Sequence, residues 1–107
     1  MTKTTLSPEE IQRVLAENRA KIDSIDTQLV ELLNQRAASA QEIGRAKQAA
    51  NMAVYEPRRE DDVYRHVAAA NSGPLSDDAM KRVFERIIDE MRTLQNRNRK
   101  GAGEGDA

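Results

Sequence analysis

Apolar residues recur every three or four positions from Ile11 onward: Ile11, Val14, Leu15, Ile22, Ile25, Leu29, Leu32, Leu33, Ala40 and Ile43. That period marks one face of an α-helix, and no proline interrupts it between Pro8 and Asn51. Ser7-Pro8-Glu9-Glu10 starts the helix. Ser7 caps it, Pro8 suits the first helical position, Glu10 closes a capping box, and Glu9 faces the positive end of the dipole. A helix from residue 8 to about residue 51 is about 65 Å long, whereas a folded chain of this size has a radius of gyration of about 13 Å. Such a helix needs another helix along most of its length. The rest of the chain is too short to supply one, so a homodimer with its long helices paired is inferred. Gly44 weakens the helix by about 1 kcal/mol and is read as making room rather than as a stop.

The segment NMAVYEP reads as a loop, and Pro57 opens a second helix that runs to about Ala70, with Val63, Val67 and Ala70 on its inner edge. Asn71-Ser72-Gly73-Pro74 breaks the chain. Leu75-Ser76-Asp77-Asp78 restarts it, with Ser76 as cap, two aspartates on the dipole and Leu75 able to staple onto Met80. The third helix puts Met80, Val83, Phe84, Ile87, Ile88, Met91 and Leu94 inward and ends near Arg99. No segment reads as a strand. The fold class is therefore all-α, three helices per chain with a very long first helix. Residues 1–7 are expected to be a disordered N-terminus, 8–100 one domain, and the Gly-rich 101–107 a disordered tail or the start of a linker.

Composition sharpens the case for a partner. Of 107 residues 38% are hydrophobic and 33% charged, with Tyr55, Tyr64 and Phe84 as the aromatics, so one chain has little material for a core. The net charge of −1 argues against a nucleic-acid or anionic-membrane surface. Arg97, Arg99 and Lys100 then read as cations complementing a helix end. The absence of cysteine excludes disulfides and thiolate metal sites, and a single histidine, His66, leaves no histidine metal cluster or Ser-His-Asp set. His66 is expected at the surface. No signal region or membrane-spanning run is present, so a soluble cytoplasmic protein is expected. Gly44-Arg45-Ala46-Lys47 lacks the glycine spacing and the preceding strand of a phosphate loop.

Cations on the apolar stripe are the unusual feature. Arg19, Arg36 and Lys47 all fall in the inward register of the first helix, and a buried charge left without a partner is costly. Carboxylates of neighbouring helices would satisfy them, and so would an anionic ligand. Arg36 and Lys47 share a face about 16 Å apart, with Ala40 and Gly44 between them, room for a small dianion. Arg19 lies about 25 Å from Arg36 along the axis, so it joins the same site only from a partner chain. On the third helix Gln95 follows Phe84, Ile88 and Met91 on the inward register. Glu56, Arg59 and Glu60 cluster at the start of the second helix, where each has a structural reading as well: Glu56 as a cap, Arg59 and Glu60 as a solvated charged face.

NRAKIDSIDTQLVELLNQRAASAQEIGRAK, VYEPRRE, GPLSDDAMKRVFERII and TLQ, in this order and spacing, resemble the all-helical class of chorismate mutases, above all the mutase domains fused to prephenate dehydratase. The resemblance implies an intertwined helical dimer with two equivalent sites. It also implies conversion of chorismate to prephenate without a cofactor or metal. Arg36, and Arg19 of the partner chain, would bind the two substrate carboxylates. Lys47 and Gln95 would hydrogen-bond the ether oxygen and Glu60 the ring hydroxyl, while Glu56 and Arg59 line the site. Met91 stands where the family often has a serine that contacts substrate, and Glu56 where an aspartate is common. Two other readings stay in view: isochorismate pyruvate lyase, which resembles these mutases in fold, and a non-catalytic helical dimerisation module.

Overall fold

The structure is a computed structural model describing residues 5–106, with side chains described from 5 to 99. It has three helices: α1 (Pro8–Ala49), α2 (Pro57–Ala70) and α3 (Asp77–Asp106). There is no strand among the described residues. The expectation for residues 1–4 and for Ala107 lies outside them.

The starts of α1 and α3 are capped by the serines expected there. At α1 the capping box is reciprocal: the Glu10 amide donates to Ser7 Oγ at 3.1 Å and the Ser7 amide to Glu10 Oε2 at 3.3 Å. Its other end is a Schellman turn. Asn51 takes φ 57°, the Met52 amide reaches the Lys47 carbonyl at 2.7 Å, and the Asn51 amide reaches that of Gln48 at 3.2 Å. Asparagine is, after glycine, the residue that accepts this left-handed conformation most readily. Between α2 and α3 the Asn71 side chain holds the turn, donating to the Leu75 carbonyl at 2.9 Å and to Asp77 Oδ1 at 2.8 Å. Ser76 Oγ then accepts the Ala79 amide at 3.0 Å as the cap of α3. α3 continues to Asp106, past the end expected near Arg99. No proline stands in 100–106 to stop it.

The chain divides into two compact units, residues 1–36 and 37–107. In the first, the stripe of α1 is uncovered: Ile22 is 54% exposed, Leu29 49% and Leu32 58%. In the second, α2 and α3 pack on each other. Its buried apolar residues are Ala40 and Ile88 alone among the described residues. Val63, Val67, Met80, Phe84, Ile87, Met91 and Leu94 are half-buried, as their register predicts. Val83 and Ala70, expected inside, are exposed. Two packed helices cover only one side of each other, which leaves these positions open. Tyr64 belongs to this contact. Burial first, then the charges of Glu60, Glu85 and Asp89, hold its phenol above its ordinary value.

Candidate active site

Lys47 is the buried charged residue of the described chain, 8% exposed. It stands in the last turn of α1, where a cation also meets the negative end of the helix dipole. The Schellman turn brings the chain back over it. Lys47 Nζ donates to the Val54 carbonyl at 2.9 Å and lies 2.5 Å from Glu56 Oε1. Glu56 is the N-terminal cap residue of α2, but its side chain caps nothing; the ammonium holds the carboxylate instead. Glu56 thus holds the cap position without the side-chain capping bond expected of it.

Ala40, Gly44 and Lys47 lie on one face of α1, at spacings of four and three. Gln95 of α3 docks on that face, its Nε2 donating to the Ala40 carbonyl at 2.6 Å. A Cβ at Gly44 would come within 3.2 Å of Gln95 Cγ. Gly44 makes room for Gln95, where room for a ligand was expected from the sequence. A helix-interior carbonyl already accepts one backbone N–H, and its second lone pair is what the Gln95 amide uses.

One turn beyond Glu56, Glu60 is half-buried and paired with Arg92 of α3. Arg92 also lies over the Tyr55 ring, 4.9 Å from its centroid, and 3.7 Å from Asp89 Oδ1. Sequence reasoning passed over Arg92 and Tyr55. Arg92 lies three residues before Gln95 and four after Ile88, both on the inward register. That was a usable signal, masked by a chain in which a third of all residues are charged.

The second unit accordingly joins Lys47 to Glu56, Gln95 to the Ala40–Gly44 face, and Glu60 to Arg92, with Met91 half-buried beside Arg92 in sequence. Arg59, on α2, is exposed. Arg19 and Arg36 belong to the first unit, where Arg19 is exposed and Arg36 half-buried. Arg99 of the basic run does more than complement a helix end: its Nη1 donates to the Met52 carbonyl at 3.1 Å, tying α3 to the loop after α1. His66 is exposed, and no metal-holding cluster of His, Cys, Asp or Glu occurs among the described residues. No described helix is long and apolar enough to cross a membrane.

The family model for chorismate mutase type II matches residues 18–96, a span that runs from just before Arg19 to just past Gln95. The chain belongs to that family. Among curated proteins it is similar to the bifunctional chorismate mutase/prephenate dehydratase of Neisseria gonorrhoeae, 40% identical over 80 residues. Its counterpart from Stutzerimonas stutzeri is 39% identical over 82 residues. These matches take in 75% and 72% of this chain but 22% of each relative, so the chain spans about a fifth of their length. Among solved structures, a chorismate mutase from Thermus thermophilus aligns with a TM-score of 0.76 at 29% identity, over 79% of this chain and 96% of that one. A Helicobacter pylori chorismate mutase in complex with prephenate also aligns at 0.76, with 25% identity, over 82% of this chain and 96% of that one. The three-helix arrangement expected from the sequence is thus the chorismate mutase type II fold.

Proposed function

We propose that this chain is a chorismate mutase, converting chorismate to prephenate by an intramolecular [3,3] rearrangement and working as an intertwined homodimer in aromatic amino acid biosynthesis. The observation that carries the reading is the Lys47 ammonium. It is nearly buried, and it sits in the matched span of a family whose reaction builds up negative charge on an ether oxygen. An ammonium has three N–H donors and a carboxamide two. Val54 and Glu56 engage two on Lys47, and Ala40 one on Gln95. The remaining donor of each is assigned to the ether oxygen. As the carbon–oxygen bond breaks and the new carbon–carbon bond forms, no proton or electron passes to the protein. What the site supplies is a fixed geometry for the folded side chain and stabilisation of the developing charge.

Two carboxylates on the substrate call for two more cations. The family resemblance assigns the carboxylate-binding roles to Arg36 and, from a partner chain, to Arg19. The uncovered stripe of α1 supports that partner, since an apolar face of this length in water is a surface for association. Glu60 is assigned to the ring hydroxyl, Glu56 and Arg59 to the wall. With Met91 at the position of the common serine, one hydroxyl contact to substrate is replaced by an apolar surface. A cytoplasmic setting follows from the biosynthetic role.

The decisive experiment is incubation of purified protein with chorismate and, separately, with isochorismate, followed by chromatographic identification of products. Prephenate from chorismate is expected. Salicylate plus pyruvate from isochorismate, or no product from either, overturns the proposal.

Gly44→Ala tests the Gln95 assignment without removing a functional group. Alanine gains about 1 kcal/mol of helix propensity over glycine, but its methyl presses on Gln95. Thermal stability within a few degrees of wild type is expected, together with a loss of about tenfold in kcat/KM from a displaced amide. Unchanged kinetics would show that Gln95 does not act from this position.

A further inference from the structure

Glu60 poses a problem that the mutase reading leaves open. A carboxylate on a three-torsion side chain, only 20% exposed, must be held in one direction if it is to meet a ring hydroxyl. Nothing on α2 does this.

We propose that Arg92 is a positioning residue of the site, holding Glu60 and the Tyr55–Glu56 segment in the geometry that substrate binding requires; this rests on the assignment of Glu60 to the ring hydroxyl. The guanidinium uses separate parts of one rigid plane. Its Nη2 edge bonds Glu60 Oε2, its Nη1 side faces Asp89 on its own helix, and its π-face lies over Tyr55. Asp89 braces the plane from within α3. Glu60 and Arg92 are 32 residues apart, so the bond fastens α2 to α3, and Tyr55 directly precedes the Lys47 partner Glu56. With Oε2 engaged, Oε1 is left to accept the hydroxyl proton of a bound ring. Lysine cannot repeat this arrangement: a point charge has no edge and face to divide between a carboxylate and a ring. The half-buried setting, 32% exposure for the Arg92 side chain, keeps the pair from the screening that makes surface pairs negligible.

The test is a double-mutant cycle in the full chain with chorismate as substrate. Arg92→Met keeps the aliphatic stem and removes the planar cation. It is expected to lower kcat/KM by about ten- to a hundredfold, the scale of a lost hydrogen bond to a charged group, with most of the loss in KM. In a Glu60→Gln background the same change should cost less than about threefold, because the group it positions has already lost its charge. Arg92→Lys, which keeps the charge and guards against misfolding, should still raise KM several-fold while its circular dichroism matches wild type. Wild-type KM in Arg92→Lys, or full additivity with Glu60→Gln, overturns the positioning role. Failure of the parent reading is separable, because it appears as wild-type protein that does not turn over chorismate at all.

Discussion

Lys47→Ala is expected to reduce kcat by about a hundred- to a thousandfold, the usual consequence of removing a preorganised donor from a developing oxyanion, while the protein keeps its helical circular dichroism. The two effects separate because of where the partners of Lys47 lie. Glu56 is 43% exposed at its side chain, so water takes over its solvation when the ammonium goes. The turn that ends α1 is made by the backbone of Lys47, not by its side chain. Stability should therefore fall only slightly, and the loss should lie in kcat, since the ether oxygen carries little charge before the transition state. Steady-state kinetics, far-UV circular dichroism and a thermal unfolding curve measure these three quantities: kcat, helical content and stability. A variant within threefold of wild-type kcat would remove Lys47 from the chemistry.

The second large effect is a recovery. Arg19→Ala and Lys47→Ala chains, each inactive as a homodimer, are expected to regain activity when mixed and allowed to exchange subunits. In a two-fold symmetric dimer that draws Arg19 from one chain and Lys47 from the other, the mixed dimer has one site with both lesions and one with neither. At equal concentrations half of the dimers are mixed, so about a quarter of wild-type specific activity should return. Exchange is verified independently with two differently tagged chains. Verified exchange without recovery would refute a shared site, and activity in either parent homodimer would remove that residue from it.

The helix starts were legible because local chemistry sets them. Ser7, Pro57 and Ser76 act within four residues of themselves, and the structure uses each as its residue type predicts. The inward placement of Lys47 and Gln95 was legible from helical period. What each touches was not. Lys47 meets Val54 and Glu56 because a left-handed residue, Asn51, reverses the chain, and asparagine in a polar stretch announces that only weakly. Gln95 meets Ala40 across 55 residues and Arg92 meets Glu60 across 32. No local pattern encodes pairs of that separation. The thin core was foreseen from composition, and the lack of a helix in this chain to cover the stripe of α1 from its length.

The turn after α1 has one more consequence. Lys47 is tied to the following loop twice, by its carbonyl to the Met52 amide and by its ammonium to the Val54 carbonyl. Helix end and charged group therefore share one register. Inserting a single residue between Lys47 and Asn51 would turn everything after it by about 100° around the axis, carrying Val54 and Glu56 away from the ammonium. Length variation among relatives of this chain should accordingly be shut out of residues 47–56 and find its outlet in the turn from 71 to 75, whose one job is to restart a helix.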